Sequence, residues 1–290
     1  MLLSAILTGL VLGGTYALVA MGLTLQYGVA RIMNLAYGDV LIAAAFGALV
    51  LFNVLGLNPL ASLLVVVPAG FALSYAVYAI VLQPLAARSP DRASLEVDSI
   101  LATFGLLFVI QGVALVVFGS GFMGYSFLAV PVSILGTTIA ANRLLALGLA
   151  VLIGGGLYLL LARTRWGTAI RAVAVAPASA PLVGIDVERT ARFAFALGGA
   201  LAAAGGVVVS MYLTFNATGG VIFTMKALIV VIMGGVGNLL GALLAGLILG
   251  LVETLVASFV DPGLTLAATY LIFLAILVVR PAGLFGRIAR

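Results

Sequence analysis

Residues 239–259 read Leu239-Leu240-Gly241-Ala242-Leu243-Leu244-Ala245-Gly246-Leu247-Ile248-Leu249-Gly250-Leu251-Val252-Glu253-Thr254-Leu255-Val256-Ala257-Ser258-Phe259, an apolar run whose one charge is Glu253. A helix of that length crosses the roughly 30 Å of hydrocarbon in a bilayer. Similar apolar stretches lie at about 3–27, 39–55, 61–82, 99–118, 144–162, 193–214, 221–234 and 265–279. Of 290 residues, 65% are hydrophobic and 7% charged, and mean hydropathy is +1.38. No soluble interior hides that much apolar surface. The expected fold is therefore an all-α polytopic membrane protein with about eight to nine transmembrane helices. The stretch 221–234 is short enough to be a partial or bent span.

The residue counts exclude much chemistry. With no His and no Cys, the usual zinc, haem, copper, iron–sulfur and thiol sites lack their ligands. A Ser-His-Asp triad cannot be built. The single lysine, Lys226, sits in Thr224-Met225-Lys226-Ala227, so the chain has no Walker A loop and does not hydrolyse ATP by itself. A net charge of +5 could suggest nucleic acid, but in so apolar a chain it reads instead as the positive-inside bias.

Orientation follows from where the basic residues fall. Arg88 and Arg92, the group from Arg163 to Arg192, the tail residues Arg280, Arg287 and Arg290, and Arg31 all share one side if nine crossings alternate. Only Arg143 and Lys226 stand elsewhere. This arrangement predicts an N-terminus outside and a C-terminus in the cytoplasm. Met1-Leu2-Leu3-Ser4 has no basic region ahead of its apolar run, which favours a first span over a cleaved signal peptide. The uncharged segment 119–142 alternates apolar residues around Pro131 and is expected to rest as a structured loop on the outer face.

The 36 glycines are patterned: Gly9/Gly13, Gly246/Gly250 and Gly198/Ala202/Gly206 recur at four-residue spacing. In lipid, such small-residue faces let helix backbones approach. Lys226 and Glu253 stand at similar expected depth on adjacent antiparallel spans joined by the Gly234–Asn238 turn. Either they pair across the hairpin, or Lys226 snorkels to the surface and Glu253 finds another partner.

Two segments look functional. In the long loop 163–192, Trp166, Ile170 and Val173 recur as one helical stripe, with Arg171 elsewhere and Pro177, Pro181 and Gly184 beyond. Such a helix either docks a partner or lies in the lipid interface. Between the first two spans, Gly28, Asn34 and Gly38 interrupt the helical run. Interrupted backbone at membrane depth must be buried in protein or line a cavity. The segment therefore either borders a substrate pathway or forms an ordinary turn.

Four pieces in order, Tyr27-Gly28-Val29-Ala30-Arg31-Ile32-Met33-Asn34-Leu35-Ala36-Tyr37-Gly38-Asp39, the loop 163–189, Phe195-Ala196-Leu197-Gly198-Gly199-Ala200-Leu201-Ala202, and Met233-Gly234-Gly235-Val236-Gly237-Asn238-Leu239-Leu240-Gly241-Ala242, resemble the branched-chain amino acid ABC-transporter permeases, specifically the shorter of two paralogous subunits. The resemblance implies a single transmembrane permease domain over residues 1–290. It implies a multi-pass protein of the bacterial inner membrane, forming a pathway for hydrophobic or branched-chain amino acids, or related small amides and urea, delivered by a periplasmic binding protein. The expected partners are a paralogous permease subunit, two ATPase subunits, that binding protein and the bilayer, with no nucleic acid. No cofactor belongs to this chain, ATP and Mg being held by the ATPases. The loop resembles an ATPase-coupling element, which would make Trp166, Gly167, Ile170, Arg171, Val173 and Gly184 the coupling residues, and Asn34, Tyr37 and Gly38 are the expected pathway residues. Tyr37 replaces the family's usual His and has no titration near neutral pH, so a mechanism needing a protonatable His loses its group here. The alternative is a secondary transporter driven by an ion gradient, for which Glu253 and Asp39 are the available intramembrane acids.

Overall fold

The computed structural model describes residues 2–89, 91–134 and 136–286. Arg287 and Arg290, used above for orientation, lie outside the described residues. Helix α1 spans Leu2–Leu25 and runs on through a π-helical turn, Gln26–Ala30. There follow α2 (Tyr37–Leu55), α3 (Pro59–Val77), a second π turn (Tyr78–Leu82), α4 (Gln83–Arg88) and α5 (Arg92–Phe118). A hairpin of β1 (Pro131–Ile134) and β2 (Thr137–Ala140) precedes α6 (Ala141–Arg163) and α7 (Arg165–Val175). The chain closes with α8 (Val187–Ser210), α9 (Gly220–Gly234), α10 (Leu239–Phe259) and α11 (Thr265–Val279).

Among the described residues, eight helical segments are long and apolar enough to cross a membrane, and Gly220–Gly234 is an apolar helix too short to qualify. Polar residues mark the starts. Asn58, Asp91, Thr164, Asp186 and Asn238 each accept a backbone N–H of the helix they precede, satisfying one of its four orphan donors.

Helices α1 and α8 form the centre. Over an apolar stretch of 18 residues, α8 is 89% buried, against 22% on the α3–α4 and α5 segments and 6% on the last span. Glycines set the approach distances. On α1, a methyl group added at Gly13 would stand 2.8 Å from the Leu247 Cα of α10, and one at Gly246 would stand 2.6 Å from the Ala17 backbone nitrogen. On α8, Gly198 faces Gly22 and Gln26, Gly199 faces Ser74 and Gly70, and Gly206 faces the Leu41 carbonyl. The four-residue glycine spacing is thus the contact face of the central helices.

Residues 31–36 leave the π turn without regular structure, and α2 then starts part-way along the bundle. The Tyr37 hydroxyl donates to the carbonyls of Val19 (2.8 Å) and Gly198 (3.3 Å), both interior positions of their helices. The short helix α9 begins at the same level. The Gly38 amide donates to Thr224 Oγ1 (2.8 Å), and that hydroxyl stands 3.2 Å from the Leu35 carbonyl. Two helices that start inside the bundle therefore meet first turn to first turn, running antiparallel.

Arg31, Arg171, Asn238 and Phe285 gather at one end, the arginine-bearing end. At the opposite end, residues flanking the β1–β2 hairpin bind the α8–α9 connection. Met123 and Phe215 exchange backbone hydrogen bonds of 2.8 and 2.9 Å, and Asn142 Nδ2 donates to the Met211 carbonyl at 2.9 Å. The segment 119–142 is structured around this hairpin.

Gly250→Leu should disrupt the α1–α10 contact, because the added side chain meets the backbone of Gly13 and Gly9 rather than movable atoms. Overpacking of this kind costs about 1–3 kcal/mol or more. A clear fall in melting temperature of the detergent-solubilised protein is expected. Gly105→Ala, which would meet nothing within 4 Å inside α5, should leave the temperature unchanged or raise it slightly.

Candidate functional site

Polar residues gather in three places. The first is the loop at the arginine-bearing end. Thr164 caps α7, which is strongly amphipathic, and the Gly184 backbone (φ 77°) turns the chain toward α8. The stripe read from the sequence is the inward face. Ile170 and Val173 are 2% and 1% exposed in the main core, and a Cβ at Gly167 would collide with the Leu161 backbone. These three residues pack α7 onto its own chain. Trp166 is partly exposed, stacked on Phe193 at 4.7 Å with Arg189 over its ring. Arg171 and Gly184 are exposed. The outward apolar surface comes instead from Val175, Leu182 and Val183, at 78%, 86% and 73% exposure. The periodicity of α7 could not identify Leu182 and Val183, because they belong to a separate 3₁₀ turn, Ala180–Val183.

The second place is the broken segment after α1. Asn34 Nδ2 donates to Gln26 Oε1 (3.0 Å), Gln26 Nε2 donates to the Phe195 carbonyl (3.0 Å), and Asn34 Oδ1 accepts from the Ala36 amide. Asn34, Tyr37 and Gly38 are all buried, and none of them lines either cavity described below. Asn34 Oδ1 and the Gly38 amide take part in pairing the interrupted backbone, a segment that α1, α5, α8 and α9 enclose. Nearby, Asp39 is 1% exposed; its Oδ1 accepts from Gln111 Nε2 at 2.9 Å, and its Oδ2 has no partner.

Third is a buried charged cluster. Lys226 Nζ lies 2.9 Å from Glu253 Oε2 and 2.6 Å from the Tyr16 hydroxyl, over whose ring it also sits at 4.7 Å. The Tyr16 hydroxyl donates to Glu253 Oε2 (2.8 Å), and the Thr269 hydroxyl donates to Oε1 (2.7 Å). One carboxylate thus joins α1, α9, α10 and α11. Two charges removed from water need such added hydrogen bonds to offset their desolvation. Tyr16 and Thr269 carry no charge and belong to other helices, so the sequence pointed only to the ionic pair.

A cavity of about 530 Å³ opens at the arginine-bearing end between α1, α6, α7 and the α9–α10 turn. Thr24, Arg31, Arg171 and Asn238 contribute its polar wall, and Leu161 and Leu240 stand among its apolar lining. A second, almost wholly apolar groove of about 290 Å³ runs between α1, α6 and α10 from Gly14 and Leu247, sharing Tyr158, Leu239 and Leu240 with the first. Arg31 is held in the left-handed region (φ 57°), and its guanidinium donates to the Ala174 carbonyl of α7 at 3.3 Å.

The charged cluster makes a checkable energetic statement. Lys226→Met and Glu253→Gln should each lower stability, and the double variant should cost less than their sum. The coupling expected for contacting residues is about 0.5–3 kcal/mol, read from melting of the purified protein in a double-mutant cycle.

Comparison with known proteins follows this geometry. Residues 5–280 match the family described as branched-chain amino acid transport system, permease component. The high-affinity branched-chain amino acid transport system permease protein BraD of Pseudomonas aeruginosa is 28% identical, with 98% of this chain and 96% of that protein covered. The probable branched-chain amino acid transport permease protein LivH of Methanocaldococcus jannaschii is 32% identical, with 93% and 88% covered. Among solved structures, PsaBC from Streptococcus pneumoniae in complex with Fab matches in fold with a TM-score of 0.52 at 14% identity, covering 97% of this chain and 92% of that one. The chain is a multi-pass, all-α membrane protein that belongs to the branched-chain amino acid transport system permease family.

Proposed function

We propose that the chain is one membrane-spanning half of an ABC importer for branched-chain or similarly apolar amino acids. The substrate class comes from the printed names of its relatives. ATP hydrolysis then resides in two ATPase subunits, which hold the nucleotide and Mg, and a periplasmic binding protein delivers the cargo. A paralogous permease completes the pathway. By the positive-inside rule the arginine-bearing end faces the cytoplasm of a bacterial inner membrane, with the hairpin end outside.

The observation that carries this reading is the pair Leu182 and Val183, both largely exposed on the arginine-bearing end beside α7. An exposed apolar knuckle on a 3₁₀ turn just beyond a core-anchored helix suits a groove on a partner protein. Ile170 and Val173 fix the helix, so a push on the knuckle moves α7 and, through the Arg31–Ala174 contact, the break after α1. Asn34, Tyr37 and Gly38 act in this reading as the hinge packing of that break.

The chain coexpressed with its neighbouring ATPase genes should copurify with two ATPase subunits and support uptake driven by ATP. Leu182→Asp with Val183→Asp should reduce copurification at least about tenfold while the permease itself stays folded, since one buried apolar anchor is worth roughly 1.5–3 kcal/mol. Ile170→Glu should instead lower the amount of folded permease, because an unpaired charge would enter the core. Full copurification and uptake by the Leu182/Val183 double variant would exclude this docking surface.

A further inference from the structure

The larger cavity holds polar groups that the packing of the chain leaves unused. Thr24 is 2% exposed on its wall, and its hydroxyl has no hydrogen-bond partner. Buried hydroxyls are normally paired, and a helical threonine has a carbonyl one turn back available to it. Thr24 Oγ1 is itself enclosed, so a ligand in the cavity reaches it only after a χ1 step. Arg31 gives one N–H to the Ala174 carbonyl, and Arg171 bonds only within its own helix, to the Gly167 carbonyl at 3.4 Å and Thr168 Oγ1 at 3.5 Å. A guanidinium has five N–H donors, so both keep several free. No Asp or Glu stands in the cavity wall among the described residues. The result is an uncompensated cationic wall next to apolar side chains, Leu161, Ile170 and Leu240 among them.

Resting on the reading of the chain as an amino acid permease, we infer that this cavity is a substrate station for a zwitterion with an apolar side chain, whose carboxylate meets Arg31 and Arg171 and whose ammonium meets the Thr24 hydroxyl. Charge-assisted hydrogen bonds from a guanidinium fork suit a planar carboxylate. The side chain then lies against the apolar wall and points toward the adjoining groove, whose shared residues Tyr158, Leu239 and Leu240 make the two spaces continuous. Lysine or arginine as cargo would meet two like charges, and a polar side chain would lose water against an apolar surface.

The test uses the complete complex in proteoliposomes, permease pair, ATPases and binding protein together, with uptake of radiolabelled leucine and ATP hydrolysis measured side by side. Thr24→Val keeps the shape of the side chain and removes only the hydroxyl. If Thr24 serves the fold alone, deleting an unpaired buried hydroxyl leaves uptake unchanged and leaves melting unchanged or raised. As a ligand contact, its loss lowers uptake about tenfold at unchanged or raised melting temperature, with ATP hydrolysis retained. Arg31→Gln and Arg171→Gln, made separately, should lower uptake to a similar degree with the ATPases still bound. Wild-type uptake by Thr24→Val overturns the inference. So does native mass spectrometry in which the wild-type chain holds an anionic phospholipid that Arg31→Gln loses without a change in uptake, because the cavity is then a lipid site. A wild-type complex that moves no amino acid removes the functional reading and this inference with it; wild-type uptake with an unaffected Thr24→Val removes this inference alone.

Discussion

Hydrocarbon gives almost no reward for packing one leucine against another, since lipid tails are as apolar as the side chains they would replace. What remains is close contact between backbones and the need to satisfy every polar group at depth. The α1–α10 crossing meets the first demand through Gly9, Gly13, Gly246 and Gly250, where an added methyl would strike backbone. The α8 glycines repeat it against α1, α2 and α3. With these contacts in place, α1 and α8 become an enclosed centre, and the remaining helices can stay largely exposed to what surrounds the chain.

The second demand explains where the polar residues sit. A chain that breaks its helix after Ala30 and starts again at Tyr37 strands several backbone groups inside the bundle. Asn34, Thr103 and Thr224 take up that segment by accepting the Ala36, Leu35 and Gly38 amides, and Gln26 holds Asn34. The same rule places Tyr16 and Thr269 on the two oxygens of Glu253, so that the one intramembrane lysine pairs with a fully hydrogen-bonded carboxylate. Against this background, Thr24 Oγ1, Asp39 Oδ2, Asn142 Oδ1 and Arg192 Nε are buried without a hydrogen-bond partner.

Helix α7 is anchored on one side and open on the other. Its buried face is locked by Gly167, Ile170 and Val173, while the apolar surface at Leu182 and Val183 just beyond it faces outward. Arg31, strained into the left-handed region, ties that element to the π turn of α1. Strained non-glycine backbone persists only where its surroundings impose it, and here the surroundings include both the loop and the cavity.

The sequence alone determined the class of fold, because a 65% hydrophobic chain with 7% charge has one solvent it can fold in, and apolar run length reports each crossing directly. Equal depth on adjacent spans also drew Lys226 and Glu253 together on paper, since helix rise converts residue counts into height. Periodicity likewise found the stripe on α7, but a stripe is equally the mark of a core face and of a docking face. Only tertiary packing turned Ile170 and Val173 inward and left Leu182 and Val183 outside. In the same way, Asn34 and Gly38 marked a break in the helix, yet which side of a break meets a cavity depends on the helices around it. Those helices close over Asn34 and Tyr37 and leave the space beside Thr24 and Arg31 open, a decision made by neighbours far away in the chain.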